Sequence, residues 1–253
     1  MQRALVRRPG PLLSDGLVTH ISRQPVDPTL AASQWQAYVA ALNATGWTTV
    51  EVPAADDCPD AVFIEDTMVV VDEFAIITRP GAAQRRAETI EAARSIANLG
   101  YRIARIETPA TLDGGDVLKV GTTWYVGRGG RTNAEGVAAL RQLVAPLGIS
   151  VIAVPMTKAL HLKSAITALP DGCLIGYEPL LDDAGFFPHF ISMPEESGAH
   201  VVVLDDTRLL VAASAGRSAQ RLADLGYEPV VVDISEFEKL EGCVTCLSVR
   251  LRG

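Results

Sequence analysis

Four short segments carry residue types that could do chemistry. They are Asp60-Ala61-Val62-Phe63-Ile64-Glu65-Asp66, Leu112-Asp113-Gly114-Gly115-Asp116-Val117-Leu118, Leu160-His161-Leu162-Lys163-Ser164 and Gly242-Cys243-Val244-Thr245-Cys246-Leu247-Ser248. Cys246 has three readings. A free cysteine is most often a small buried apolar residue. With Cys243 it has the two-residue spacing of a redox pair, but the segment lacks the helix that a thioredoxin-like motif opens, and a strand would splay the side chains. As a nucleophile it needs a histidine and an orienting carboxylate brought in from elsewhere. His161 and Asp113 are the available pair. His161 sits between two leucines, a setting that equally suits a satisfied core histidine. Asp113 and Asp116 flank Gly114-Gly115, where a tight turn alone explains both residue types. Glu65-Asp66 is harder to explain that way. An apolar run continues on both sides of it, and buried carboxylates are costly without a cation. A cationic substrate would supply one.

Cations of the chain's own stand at two matching places. Arg85-Arg86 follows Pro80-Gly81, and Arg131 precedes Thr132-Asn133, each just before a helical run. Singly, such arginines are usually solvated; in matching positions they suit a fork onto a carboxylate. Of the other histidines, His20, His189 and His200, no pair has metal-ligand spacing, so no metal site is expected. Gly127-Arg128-Gly129-Gly130 lacks the spacing of a phosphate loop.

The elements that must position these residues repeat along the chain. Helical runs at 31–44, 86–99, 134–147 and 217–225 each end in glycine, at Gly46, Gly100, Gly148 and Gly226, and each is followed by a short β-branched run. Glycine supplies the left-handed residue that stops a helix. Apolar runs joined by short turns precede the helices: 63–71 before 74–77, 117–120 before 123–127, and 201–204 before 209–213. The unit is strand, hairpin, strand, helix, strand. A degenerate copy lies at 164–191, with only a short helix candidate at 179–184. The C-terminal strand, 244–251, has no helix after it, and the N-terminal copy lacks its leading strand. Joining the two completes a fifth unit. A closed ring of five α/β units is therefore expected, with ligands on its axis. The four polar segments stand at or before the first strand of their units and should meet there.

The 253 residues suffice for one large domain without disulfide staples. A net charge of −8 argues against nucleic-acid and anionic-membrane partners. The first residues have too short an apolar run for a signal peptide, and no run approaches a membrane span. A cytoplasmic protein forming a single catalytic domain over 1–253 is expected.

On six marks the chain resembles the dimethylarginine dimethylaminohydrolases, of the guanidine-modifying superfamily with the five-bladed α/β propeller, or pentein, fold. The marks are Val62-Phe63-Ile64-Glu65-Asp66, Arg79-Pro80-Gly81 with Arg85-Arg86, the 112–118 segment, Arg131-Thr132-Asn133, the 160–164 segment and Thr245-Cys246-Leu247-Ser248. Each alone is weak; six in order over essentially the whole chain are specific. The resemblance implies Cys246 as nucleophile, His161 as general acid and base, and Asp113 as the acid that positions the histidine. It implies Glu65 and Asp66 at the guanidinium end of the substrate, and Arg85 and Arg131 on its carboxylate. Asp60 and the backbone of Leu17, on a covering loop at 14–24, match groups near the α-amino end. The implied reaction converts monomethyl- and asymmetric dimethylarginine to citrulline and methylamine or dimethylamine, through an S-alkylthiouronium and without cofactor or metal. A homodimer is compatible with this reading. An arginine deiminase or amidinotransferase of the same superfamily would share the cysteine, histidine and acid. Arginine deiminases are usually longer and carry an Arg-Asp pair where this chain has Glu65-Asp66. A ring-shaped ribosome anti-association factor would need none of these groups.

Overall fold

The computed structural model describes residues 2–187 and 190–252; His189 lies outside them. Among the described residues fifteen strands form five three-stranded sheets. Four follow one another along the chain: β3 (Met68–Val71), β4 (Phe74–Ile77) and β5 (Arg102–Arg105); β6 (Val117–Val120), β7 (Thr123–Arg128) and β8 (Ser150–Pro155); β9 (Ile166–Ala168), β10 (Leu174–Gly176) and β11 (Phe190–Ser192); β12 (Val202–Val203), β13 (Arg208–Ala212) and β14 (Glu228–Val232). The fifth joins β1 (Arg3–Val6) and β2 (Thr48–Glu51) to β15 (Val249–Leu251). In every sheet the middle strand pairs antiparallel with one neighbour and parallel with the other. In the fifth, Arg3 stands opposite Leu251 and Leu5 opposite Val249. The two ends of the chain thus close the last unit, as the repeat predicts.

In four units the crossover that makes the parallel pair runs through an α-helix; between β10 and β11 the described residues form only two 3₁₀ turns, Glu178–Leu180 and Ala184–Phe186, in place of the single short helix expected at 179–184. In α1 (Pro28–Ala44), the Asp27 side chain accepts from the amides of Thr29 and Leu30, and Pro28 takes the first position, where its missing N–H costs nothing. Asn133 caps α3 (Ala134–Val144) in the same way, while α2 (Thr89–Asn98) continues a 3₁₀ turn at Ala83–Glu88. The four stop glycines have φ of +93°, +90°, +73° and +94°, which residues with a Cβ rarely adopt. No helix among the described residues is long and apolar enough to cross a membrane.

Three expected strands are shorter than their apolar runs, and the difference makes the site. The 63–71 run gives a 3₁₀ turn, Ile64–Thr67, before β3. The 164–169 run starts inside α4 (Leu162–Ala165). The 244–251 run is turn until β15. Backbone groups in these stretches bond outside any ladder. The carbonyl of Val244 accepts from Tyr38 Oη (2.9 Å), that of Thr245 from Arg250 (3.1 Å), and that of Cys246 from the Glu65 amide (3.1 Å). A chain so engaged cannot pair as a strand.

Candidate active site

Each polar segment forms a tight turn just ahead of its unit's first strand. The turns are Ile64–Thr67, Gly114–Asp116, Leu162–Ala165 and the turn at 244–247. The remaining unit supplies Glu196–Ala199, followed by His200. Neighbouring turns are stitched together. The Glu65 amide donates to Cys246 O; the Gly115 amide donates to Asp66 Oδ1 (2.8 Å); the Leu162 amide donates to Asp116 Oδ1 (3.0 Å); Thr167 Oγ1 donates to Ala199 O (2.8 Å). The repeat register therefore places the chemistry on one axis, as expected.

A small pocket there is lined by Leu17, Asp60, Phe63, Asp66, Arg85, Arg131, His161 and Cys246, among others. Seven of the nine residues expected at the site line it; Asp113 and Glu65 do not. His161 is buried, with Nε2 3.0 Å from Asp113 Oδ2 and Nδ1 3.8 Å from Asp66 Oδ1. Asp113 is fully buried, although it reaches the site through His161 and Arg131 rather than as part of the pocket wall. Its Oδ1 accepts from the Gly81 amide (2.9 Å), which fixes the carboxylate that holds the histidine. Gly114 and Gly115 serve more than a turn. A Cβ on Gly114 would sit 2.0 Å from Glu65 O, and one on Gly115 would sit 2.7 Å from His161 Nδ1.

Burial works against a charged His161. The carboxylates of Asp66, Asp113 and Asp116 outweigh it and push the pKa up to about 9. For Asp66, burial alone would favour the neutral acid. His161, Arg85 and the Gly115 amide overcome it and hold the carboxyl well below the usual carboxylate range. For Asp116 burial outweighs the pull of His161, Thr132 and the Leu162 amide and carries the carboxyl up to about 6. At neutral pH the histidine is an imidazolium, equipped to give a proton.

The cations divide differently from the sequence expectation. Arg85 is buried, and its guanidinium binds Asp66 Oδ2 (2.7 Å), both Glu88 oxygens (3.0 and 2.8 Å) and the carbonyls of Asp60 and Phe63 (3.2 Å each). Of five N–H donors, one on Nη1 stays open. Arg131 is the opposite case. Its Nη1 is buried with no hydrogen-bond partner, 3.9 Å from Asp113 Oδ2, and Nη2 reaches only Thr19 Oγ1 at 3.4 Å. A buried guanidinium nitrogen without a partner is costly, and an anionic ligand relieves it.

Glu65 and Asp66 do not wait for a substrate cation, as the sequence reading supposed. Asp66 is paired with Arg85. Glu65 turns to the far side of the turn, where Oε1 accepts from Lys163 Nζ (2.6 Å) and Arg250 Nη2 (2.7 Å), and Oε2 has no partner. Both partners were missed. The Arg85–Glu88 pair had a local signal, its three-residue spacing; Lys163 and Arg250 come from other units and had none.

Asp60 and Leu17 meet as expected. The Leu17 amide donates to both Asp60 oxygens (3.0 and 3.2 Å). The loop at 14–24 is also tied down by Glu241, which accepts from the amides of Thr19 (2.5 Å) and His20 (2.8 Å), and by Arg23, which donates to the carbonyls of Ser14 and Gly16. The pocket beneath it measures about 10 Å³, room for one water molecule. An amino acid does not fit this space as it stands, so the groups around it, the tethered loop among them, must shift to admit one. Glu241→Ala, which removes two tethers, is expected to change KM by about five- to tenfold with little change in melting temperature; steady-state kinetics and a thermal melt check both.

The cysteines overturn one sequence inference. Because 244–247 is a turn and not a strand, the side chains of Cys243 and Cys246 converge, with their sulfurs 3.0 Å apart. Cys246 is pushed up by its bond to Cys243, by burial and by the negative charge of Glu65 and Asp66. The same bond brings Cys243 down to about 6. Among the described residues, one group of three could hold a metal: Asp66, Asp113 and His161, with ligand atoms within 4.8 Å of one another. All four carboxylate oxygens there already accept from Arg85, His161 or backbone amides.

No protein-family model matches the chain. A dimethylarginine dimethylaminohydrolase of Streptomyces coelicolor is 63% identical over 251 residues, covering 99% of this chain and 97% of the relative. The Pseudomonas aeruginosa enzyme of that name is 34% identical, with 97% and 98% covered. Among solved structures, a dimethylarginine dimethylaminohydrolase adduct with S-methyl-L-thiocitrulline superposes with a TM-score of 0.92 at 32% identity, covering 98% of this chain and 99% of that one. A mutant of the P. aeruginosa enzyme complexed with citrulline gives 0.91 at 33%, with 98% of both chains covered. A cyanobacterial arginine dihydrolase domain, at 18% identity and a TM-score of 0.85, shares the fold. With the five closed units, the axial pocket and these relatives together, the chain belongs to the dimethylarginine dimethylaminohydrolase family.

Proposed function

We propose that this chain, acting as a single catalytic domain over 1–253, hydrolyses Nω-methylated arginines to citrulline and methylamine or dimethylamine. The observation that carries the reading is one pocket in which a cysteine and an imidazolium stand beside Asp66, with a buried, partnerless Arg131 nitrogen. Arg131, with the last open donor of Arg85, holds the α-carboxylate; Asp60 and the Leu17 backbone hold the α-amino end. Asp66 faces the guanidinium, and Glu65 contributes its field from behind. Cys246 is pushed up without a ligand, so the bound cation is what favours its thiolate, the thiol proton leaving to solvent because His161 already carries one. The thiolate then attacks the guanidinium carbon, and a C–S bond forms as the C–N π pair moves to nitrogen. His161 gives its proton to the alkylated nitrogen, the C–N bond breaks, and the amine leaves an S-alkylthiouronium on Cys246. Neutral His161 next takes a proton from water, which attacks the same carbon. The C–S bond breaks as the adduct's hydroxyl proton passes to solvent or the released amine, giving neutral citrulline and the thiolate. Cytoplasmic thiol chemistry suits this cycle.

The test separates the two ends of the substrate. Arg131→Ala removes a buried charge-assisted bond worth about 1.5–3 kcal/mol, so kcat/KM for methylarginine should fall roughly ten- to hundred-fold. Slow turnover of a simple alkylguanidine, which has no carboxylate, should barely change. Equal loss on both substrates would place Arg131 in the chemical step instead. Citrulline and amine release from a panel including unmodified arginine distinguishes this activity from deimination.

A further inference from the structure

Cys243 has no part in the proposed cycle, yet its side chain lies against the nucleophile. Its sulfur lies 3.0 Å from that of Cys246, and its amide points at the same sulfur at 3.4 Å. A disulfide needs about 2.05 Å, so the sulfurs must close by about 1 Å. The turn already folds the chain back on itself, since the Cys246 amide donates to Cys243 O at 3.0 Å.

The two sulfurs also open onto different spaces. Cys246 faces the substrate pocket, whereas Cys243 lines a second cavity of about 350 Å³ on the other side of the turn. His200 and Ser164 line that cavity too, and both His200 Nδ1 and Ser164 Oγ are buried without hydrogen-bond partners. Those two atoms offer a small polar molecule hydrogen bonds that the protein itself does not use. The ionised form of Cys243 is favoured by the thiol bond from Cys246 and by nearby His200. A thiolate, not a thiol, is the form that reacts with peroxide.

We propose that Cys243 is an oxidative modification site that controls the nucleophile: a hydroperoxide oxidises the pair to a Cys243–Cys246 disulfide, and a dithiol reductant restores it. In the first step the Cys243 thiolate attacks a peroxide oxygen. The S–O bond forms, the O–O bond breaks, and the departing oxygen takes a proton and leaves as water or alcohol. In the second step Cys246 attacks the sulfenic sulfur, the S–S bond forms, and the S–O bond breaks with loss of water, both thiol protons ending in the products. Sulfur is oxidised and peroxide reduced, two electrons each. Reduction proceeds by exchange with the dithiol, which becomes the oxidised partner.

The effect on activity rests on Cys246 being the nucleophile; the disulfide itself does not. The experiment treats the protein with limiting hydrogen peroxide, maps disulfide-linked peptides by mass spectrometry, and measures citrulline formation before and after dithiothreitol. The expected result is a Cys243–Cys246 link with loss of two hydrogens, at least a tenfold fall in activity, and recovery with dithiothreitol. In Cys243→Ser, peroxide should instead drive Cys246 to sulfinic or sulfonic acid, and dithiothreitol should restore little. Inactivation of the wild type without the link, or equal recovery in Cys243→Ser, would overturn the proposal. Because the mapping uses the wild-type protein, it holds even if the variant folds poorly. A link that forms while activity persists would leave the disulfide standing and sink Cys246 as nucleophile.

Discussion

Replacing Cys246 by serine is expected to lower citrulline formation by at least roughly three orders of magnitude. A serine hydroxyl at neutral pH is almost wholly protonated, and no base stands ready to change that, because His161 is itself an imidazolium with its pKa pushed up to about 9. The pocket depends on the cysteine backbone, whose carbonyl receives the Glu65 amide, and serine keeps that bond. The variant should therefore melt close to the wild type and still bind citrulline. Activity within tenfold of wild type would end the covalent mechanism. A large fall in melting temperature would mean that the sulfur was structural.

Asp66→Ala should be nearly as severe, for a different reason. This carboxylate receives Arg85 and the Gly115 amide, and it stands 3.8 Å from His161. Its loss leaves Arg85 paired with Glu88 but with a buried Nη1 that has no acceptor, a cost of about 1–3 kcal/mol. His161 also loses the largest of the charges that raise it, so both its proton and its orientation suffer. A fall in kcat/KM of roughly 10²- to 10⁴-fold is expected. Asp66→Asn separates charge from shape: its side-chain oxygen can still accept from Gly115, so stability should recover more than activity does. A pH series tests the same coupling. A histidine raised in the folded state stabilises the protein fully below its unfolded pKa of about 6.5, and that contribution disappears as pH climbs through about 9. Thermal midpoints should fall between pH 6.5 and 9 in the wild type and fall less in Asp66→Asn. An equal fall in both proteins would show that Asp66 does not govern the histidine.

How much of this was legible in the sequence depends on whether the signal was local. The stop glycines Gly46, Gly100, Gly148 and Gly226 marked the period, and the period put Glu65, Asp113, His161 and Cys246 at equivalent places. Strand limits failed where an apolar run hid long-range donors. Nothing near Val244 announces that Tyr38 and Arg250 will claim the carbonyls that a strand would have used. Charge pairing failed for the same reason. Four cations and six acids meet around the axis, and residue type gives the sign of each charge but not its partner. Arg85 and Arg131 look alike in sequence, yet one is nearly saturated and the other retains an unused buried donor.

The pairing of Arg3–Leu5 with Val249–Leu251 has a consequence for when reactivity arises. Cys246 follows every other residue of the pocket along the chain, and besides Cys243 the charges that raise it, Glu65 and Asp66, come from another unit. Non-local pairings form late, because loop closure must precede any gain from contact. During synthesis the acids, the histidine, Arg85 and Arg131 are all made before the sulfur. Until the final strand docks beside the first, Cys246 is an ordinary thiol with an ordinary pKa. Only the completed ring turns it into a site residue, so an unfinished or misfolded chain does not carry the reactive centre.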